Sequence, residues 1–371
     1  MNEKVFDLLD YDNCIANLTN SVYQYFGVEP VGPSLPLLDA HLQKKYRNVV
    51  VLLLDGMGIN ILEANAEANG FFRSHLAGTF ASTFPPTTVA ATTSVLSGLM
   101  PSTHAWLGWD CYYPQIGKNV VVYRNTIQDT DIPAAEENVA WTYTPYENIC
   151  KRFARAGKTA HIVSPFYDPF PEDFPAVLAR VELLCREPGE KYIYAYWSEP
   201  DHTMHMTGCY SEDSRQILRS LEAAVEELCA RLEDTLVVVT ADHGHRNGRG
   251  AALTDYPSLM ECLERLPAIE PRALNFFLKK GKEEQFVREF TKLFGDKFLL
   301  LSKEEVLKRK LFGTGPEHPC FRAMLGDYLA IATGDLSIFN TPEIAKRFIG
   351  IHAGLTEEEM RIPLVVWEGR R

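Results

Sequence analysis

Short apolar runs alternate with amphipathic segments along this chain. Residues 48–54, 159–163, 191–197 and 235–241 are apolar stretches of strand length. Between them lie segments with helical spacing: Ile59 to Asn69, about Val89 to Ser97, Tyr146 to Ala156, Phe174 to Cys185 and Ser211 to Leu232. Pro85-Pro86 and Gly157 punctuate the pattern, and Ser211 is placed to cap its helix. Strands that are apolar throughout, separated by helices, predict an α/β fold with a mostly parallel sheet covered on both faces.

The pattern changes in three places. A leader, 1–47, carries an amphipathic stretch from Ile15 to Phe26 and then a Pro/Gly-rich link. Residues 105–143 are aromatic-rich and read as irregular. Residues 254–345 mix charged helical stretches (283–294 and 303–310) with short strand-like pieces such as 328–332. We expect a core formed by 1–249 and 346–371, with 250–345 inserted as a smaller cap that shapes substrate specificity.

Composition narrows the class. Apolar residues make up 46% and charged residues 23%, as in a soluble globular protein. The net charge of -12, from 49 acidic and 37 basic residues, argues against a binder of nucleic-acid polymers, which needs a basic face. A small anionic substrate stays compatible with it, because a bound metal inverts the local field. The eight cysteines form no C-x-x-C pair and read as free thiols of a reducing compartment. The opening MNEKVFDLLDYDNC lacks the features of a signal peptide, and no apolar run approaches the roughly 18 residues of a membrane span. The expected location is cytoplasmic.

Metal-ligand residues cluster at the strand ends. Asp55 follows the first apolar run, Asp201 and His205 the third, and Asp242 and His243 the fourth. His352 precedes a last apolar run at 363–367. A single Asp after a strand is ordinarily a turn or N-cap residue. Three Asp and three His in these positions form a ligand set for two ions, because parallel strands carry their carboxyl ends to one edge.

Four pieces of sequence carry a resemblance: VVVLLLDGMG (49–58), FPPTTVAATTSVLSGLMPSTHAWLGW (84–109), EPDHTMH (199–205) with TADHGH (240–245), and IHAGLTEEEMRIPLVV (351–366). The chain resembles the alkaline phosphatase superfamily, in its nucleotide pyrophosphatase/phosphodiesterase-like branch. The resemblance implies a three-layer α/β/α core and a binuclear hydrolase of phosphodiester or nucleotide pyrophosphate bonds. Asp55, Asp242 and His243 would hold one divalent ion together with the nucleophile oxygen, and Asp201, His205 and His352 the other. Mixed Asp/His ligation suits Zn²⁺ and also accepts Mn²⁺ or Fe²⁺. Counted back from Gly98 with the spacing of that family, the resemblance implies Thr88 as the nucleophile, with Thr87 as its competitor, whereas Thr83 comes five residues too early. The expected reaction passes through a phosphothreonine that water then cleaves.

The same resemblance expects an Asn after the nucleophile helix, where this chain has Trp109; Asn125 or Tyr123 are the candidate substitutes. Trp106, Trp109, Tyr112, Tyr113 and Tyr123 offer faces for a base or aryl leaving group, and Arg322 and Arg124 are candidate anion contacts. His104 and His202 receive no metal role, and His245 is a candidate to orient a ligand. The C/S-x-P-x-R segment of sulfatases does not occur. The alternatives are a phosphonoacetate-hydrolase-like enzyme, for which Lys279, Lys280 and Lys282 would bind the anion, a phosphomonoesterase or phosphomutase, and a non-catalytic metal- or phosphate-binding protein.

Overall fold

A six-stranded sheet forms the centre of the molecule in the computed structural model, which describes residues 3–369. Its order is Leu76–Ala81, Arg361–Glu368, Thr235–Thr240, Asn48–Leu54, Lys191–Trp197 and Thr159–Val163. The last four are mutually parallel, whereas Arg361–Glu368 runs antiparallel to both of its neighbours. Asn48–Leu54 and Thr235–Thr240 are buried at every position, which is why they read as continuous apolar runs.

Helices flank the strands much as the spacing predicts. Ile15–Phe26 forms over the expected residues. Glu212–Cys229 is capped by Ser211, whose side chain accepts from the Ser214 amide. Thr88–Ser97 ends at Gly98, whose φ of 77° provides the left-handed turn. Ile59–Asn65 is shorter than expected, because the chain turns to extended backbone at Ala66.

The aromatic-rich region is ordered rather than irregular. Asp110–Tyr113, Lys118–Val121 and Thr126–Ile127 join Ala268–Glu270, Ala273–Phe276, Phe298–Ser302 and Tyr328–Ala332 in a seven-stranded sheet. Residues 110–127, expected in the core, therefore pair with strands expected in the cap, through the bridge between Ile269 and Asp110. Strands of two to five residues joined across about 160 positions leave little local periodicity to read. Glu283–Phe294 packs beneath this sheet and buries Phe286, Phe290 and Phe294 at four-residue spacing. Among the described residues no helix is long and apolar enough to cross a membrane, and all eight cysteines are free.

Candidate active site

Strand register brings the ligand-type residues to one edge. Leu54 lies opposite Trp197 and Leu53 opposite Thr240, so the segments after these strands leave the sheet together. The Asp201 amide donates to the Asp55 carbonyl at 3.0 Å. Gly56 sits between them at φ 72°, and a Cβ there would lie 3.0 Å from the Asp201 Cβ and 3.1 Å from the His245 ring. Glycine answers both demands. The antiparallel final strand starts at this same edge, so His352, upstream of it, returns to the cluster.

All six expected ligands meet there. His243 Nε2 is 3.2 Å from Asp55 Oδ1, and the His243 and His352 rings stack at 3.9 Å. His205 Nε2 lies 3.4 Å and His352 Nε2 3.8 Å from Asp201 Oδ1. Ligand atoms of Asp55, Asp201 and His243 fall within 4.8 Å of one another, as do those of Asp201, His205, His245 and His352. Asp201 belongs to both groups. His245 is drawn into the cluster, its Nε2 2.7 Å from Asp201 Oδ1. Backbone carbonyls orient two of the rings: His205 Nδ1 is 2.8 Å from Gly350 O and His243 Nδ1 3.0 Å from Gly244 O, which directs each Nε2 inward.

The donor set fits divalent cations. Asp55 Oδ1 and Asp242 Oδ2 are buried without a hydrogen-bond partner, an arrangement that costs free energy unless a cation compensates. Burial and the Asp201 charge raise the Asp55 carboxyl well above its ordinary range; burial and Asp55 do the same to Asp242. Asp201 is held well below that range: burial opposes the shift, but His205, His245 and His352 outweigh it. Burial, reinforced by His243, keeps His352 neutral far below its usual value, as a metal ligand needs to be. Tyr196 donates its hydroxyl to Asp55 Oδ2 and fixes that carboxylate from the floor of the sheet.

Thr88 opens its helix beside this cluster. Its Oγ1 lies 3.4 Å from both Asp55 Oδ2 and His243 Nε2. Thr87 occupies the N-cap position, yet no side chain caps the helix. The Thr87 hydroxyl instead donates to Glu270 Oε1 at 2.6 Å. The first amides of the helix therefore have no side-chain cap, and with Thr88 beside the cluster this uncapped N-terminus favours an anion there. Thr83 is buried and precedes Phe84.

The expected substrate contacts divide. Trp109 is 39% exposed, takes its place at the mouth through a 2.8 Å bond from its amide to Glu270 Oε1, and has the Arg124 guanidinium 5.9 Å from its ring. Tyr123 hydrogen-bonds Thr92 at 2.8 Å. Asn125 is a correction: its amide donates to Ala135 O and Glu137 O while its Oδ1 accepts from Val139 N, so the side chain closes its own loop. Arg322 is another, since it is exposed and paired with Glu317 at 2.5 and 3.1 Å. Lys282 pairs with Glu261 and Lys279 donates to the Glu261 carbonyl, both on the surface. His104 is a buried structural residue, bonded to Ser94 and to the Trp106 amide.

Comparison with known proteins agrees with this geometry. Residues 49–172 and 165–341 match the family described as type I phosphodiesterase / nucleotide pyrophosphatase. The chain belongs to this family. It is a phosphoric ester hydrolase with an alkaline-phosphatase-like fold. Phosphonoacetate hydrolase from Sinorhizobium meliloti 1021, in complex with phosphonoformate, is similar at a TM-score of 0.66 and 16% identity, over 91% of this chain and 92% of that one. Murine ectonucleotide pyrophosphatase/phosphodiesterase 5, an inactive threonine-to-alanine variant in complex with AMP, is similar at 0.62 and 17%, over 86% and 87%. The human form gives 0.64 and 16% over the same shares. No curated protein sequence matches.

Sequence reasoning passed over three residues of this family member's site. Tyr196 stands inside an apolar strand, where its hydroxyl gives no signal. Phe166, 66% exposed, follows the strand Thr159–Val163, and its position beyond a carboxyl end was a readable hint. Glu270 has no motif at all, because its place depends on pairing between distant short strands.

Proposed function

We propose that this hydrolase cleaves a phosphodiester or nucleotide pyrophosphate through a covalent phosphothreonine on Thr88. The observation that carries the reading is the Thr88 hydroxyl, at a helix N-terminus and 3.4 Å from both Asp55 and His243. Asp55, Asp242 and His243 would hold one divalent ion with the Thr88 oxygen, and Asp201, His205 and His352 the other, with zinc the best match to mixed Asp/His donors. Bound there, two such ions supply positive charge that favours the threonine alkoxide and the departing oxygen.

The chain's own groups do the rest. Thr88 Oγ1 forms the new bond to phosphorus as the bond to the leaving oxygen breaks. Uncapped amides of the Thr88–Ser97 helix steady the phosphoryl oxygens. Water then attacks phosphorus and releases Thr88. The AMP complex of the murine neighbour, made with an inactive threonine-to-alanine variant, supports both the nucleophile and a nucleotide-like substrate.

An aromatic wall supports the same substrate class. Trp109 and Tyr123 meet edge-on at 6.3 Å, Tyr123 and Phe166 stack at 6.5 Å, and Phe166 packs against Tyr196 at 5.9 Å. The wall thus runs from solvent to the residue that holds Asp55. Phe166→Ala should raise KM for a nucleotide diester about tenfold while changing kcat less, since base–aromatic stacking is worth about 1–3 kcal/mol. Steady-state kinetics check this, and an unchanged KM would remove Phe166 from the substrate site. The free thiols support a cytoplasmic location.

A substrate panel tests the proposal. Bis-p-nitrophenyl phosphate and nucleotide pyrophosphates should be cleaved faster than p-nitrophenyl phosphate or phosphonoacetate. Chelation should abolish turnover, and about two equivalents of Zn²⁺ per chain should restore it. Preference for the monoester, or full activity after complete metal removal, overturns the reading.

A further inference from the structure

Glu270 reaches the nucleophile segment from the second sheet. Its strand, Ala268–Glu270, pairs with Ala273–Phe276 and, through Ile269, with Asp110. Ile269 has a φ of 82°, a conformation that residues branched at Cβ rarely adopt. Such strain persists only where the surroundings enforce it, and it concentrates at functional sites. Gly108 is part of that enforcement: a Cβ there would lie 2.8 Å from the Ile269 carbonyl oxygen and 2.9 Å from its Cγ2. The strained turn delivers the next side chain, Glu270, between Thr87 and Trp109.

We propose that Glu270 is a positioning residue that decides which of two adjacent threonine hydroxyls meets the substrate, an inference that rests on Thr88 as the nucleophile. Glu270 Oε1 accepts from Thr87 Oγ1 at 2.6 Å and from the Trp109 amide at 2.8 Å. The first bond commits the Thr87 hydroxyl to Glu270 and holds Thr87 as the residue before the helix start. Thr88, the next residue, then directs its hydroxyl at Asp55 and His243. The second bond ties the exposed Trp109 ring to the same anchor, so the aromatic wall and the nucleophile share one reference point. Burial pushes the Glu270 carboxyl up to about 7. An acceptor oxygen is what both bonds require, and a neutral amide oxygen provides it as well as a carboxylate does.

The test uses the full chain with its metals and one diester substrate, and compares E270A, E270Q, E270D, T87V and the E270A/T87V pair. E270A should lose about tenfold or more in kcat, with KM changing less and metal content near wild type, as expected when a reacting group is misplaced by a fraction of an ångström. E270Q should recover most of that loss, because its amide oxygen accepts both bonds. E270D, whose carboxylate falls short by one methylene, should resemble E270A, and it carries the test if E270A does not fold. Removing the competing hydroxyl should make the double variant faster than E270A. The proposal is overturned if E270A and E270D keep wild-type kcat, if E270Q falls as far as E270A, or if T87V alone abolishes turnover, which would make Thr87 the attacking group and Glu270 its base. Thr88→Ala separates the two levels: an active Thr88→Ala chain removes the nucleophile assignment itself, whereas an inactive one beside a wild-type-like E270A removes only the role of Glu270.

Discussion

Thr88→Ala should lower kcat for a diester by about a thousandfold or more, because removing an attacking group eliminates the covalent route altogether. Metal content should stay the same, since on the proposed reading six side chains other than Thr88 would supply the donors. Substrate should still bind through the helix amides and the aromatic wall, so KM or an inhibition constant for product should move little. Thr88→Ser should retain substantial activity, as it keeps the hydroxyl and the helix start. Rapid acid quench of the wild type with a radiolabelled substrate should trap label on the peptide containing Thr88, and the Ala variant should trap none. Near-wild-type turnover of Thr88→Ala, or label on Thr87, would refute the assignment. The geometry favours Thr88 over Thr87: the first hydroxyl is 3.4 Å from two ligand side chains, while the second is already committed to Glu270.

The candidate ligand cluster was legible in the sequence because five of its six residues follow a strand with a strong local signal. Fully buried parallel strands read as unbroken apolar runs, and their carboxyl ends share an edge by construction. Asp55, Asp201, Asp242 and His243 therefore converge without any knowledge of loops. His352 was singled out by its place before the last apolar run, but its return to the cluster depends on the antiparallel direction of that strand, which the run does not encode. The second sheet was not legible. Its strands are two to five residues long, and Asp110 finds its partner at Ile269, about 160 positions away. What depends on that sheet was lost with it: Glu270, and the anchoring of Trp109. Asn125 misled for a related reason. It was judged by residue type, while its φ of 55° and three loop hydrogen bonds make it a turn residue. Charge alone also singled out Arg322, which is satisfied by a neighbour five residues away.

Arg272→Ala should cost about 3–5 kcal/mol of stability, the usual result of stranding one member of a buried ion pair. Arg272 is 1% exposed. Its guanidinium meets both Glu359 oxygens, at 2.7 and 2.8 Å, and also donates to the Leu336 and Gly334 carbonyls. Glu359 in turn accepts from the Gly354 amide and the Thr356 hydroxyl, and its carbonyl accepts from the amide of Gly244, the residue after His243. The pair thus joins the second sheet to the segment between His352 and the final strand. Urea denaturation should show the loss as a lower midpoint, and weaker retention of added divalent metal should accompany it, because the His352 segment loses its tie. A double change to Met and Leu, Arg272→Met with Glu359→Leu, should recover most of the stability, since apolar replacement of a whole buried pair is often neutral. It should not recover the affinity for added divalent metal, because the bonds to Gly354 and Thr356 stay broken. Acidity should act through the same carboxylate. Burial opposes ionisation of Glu359, but Arg272 outweighs it and holds the folded pKa below the ordinary 4.5. The pair's contribution is therefore complete above 4.5 and is lost as pH falls through the folded value. Wild type should lose stability on acidification through that window more steeply than the Met/Leu variant, and equal slopes would show that the pair does not govern the acid limb.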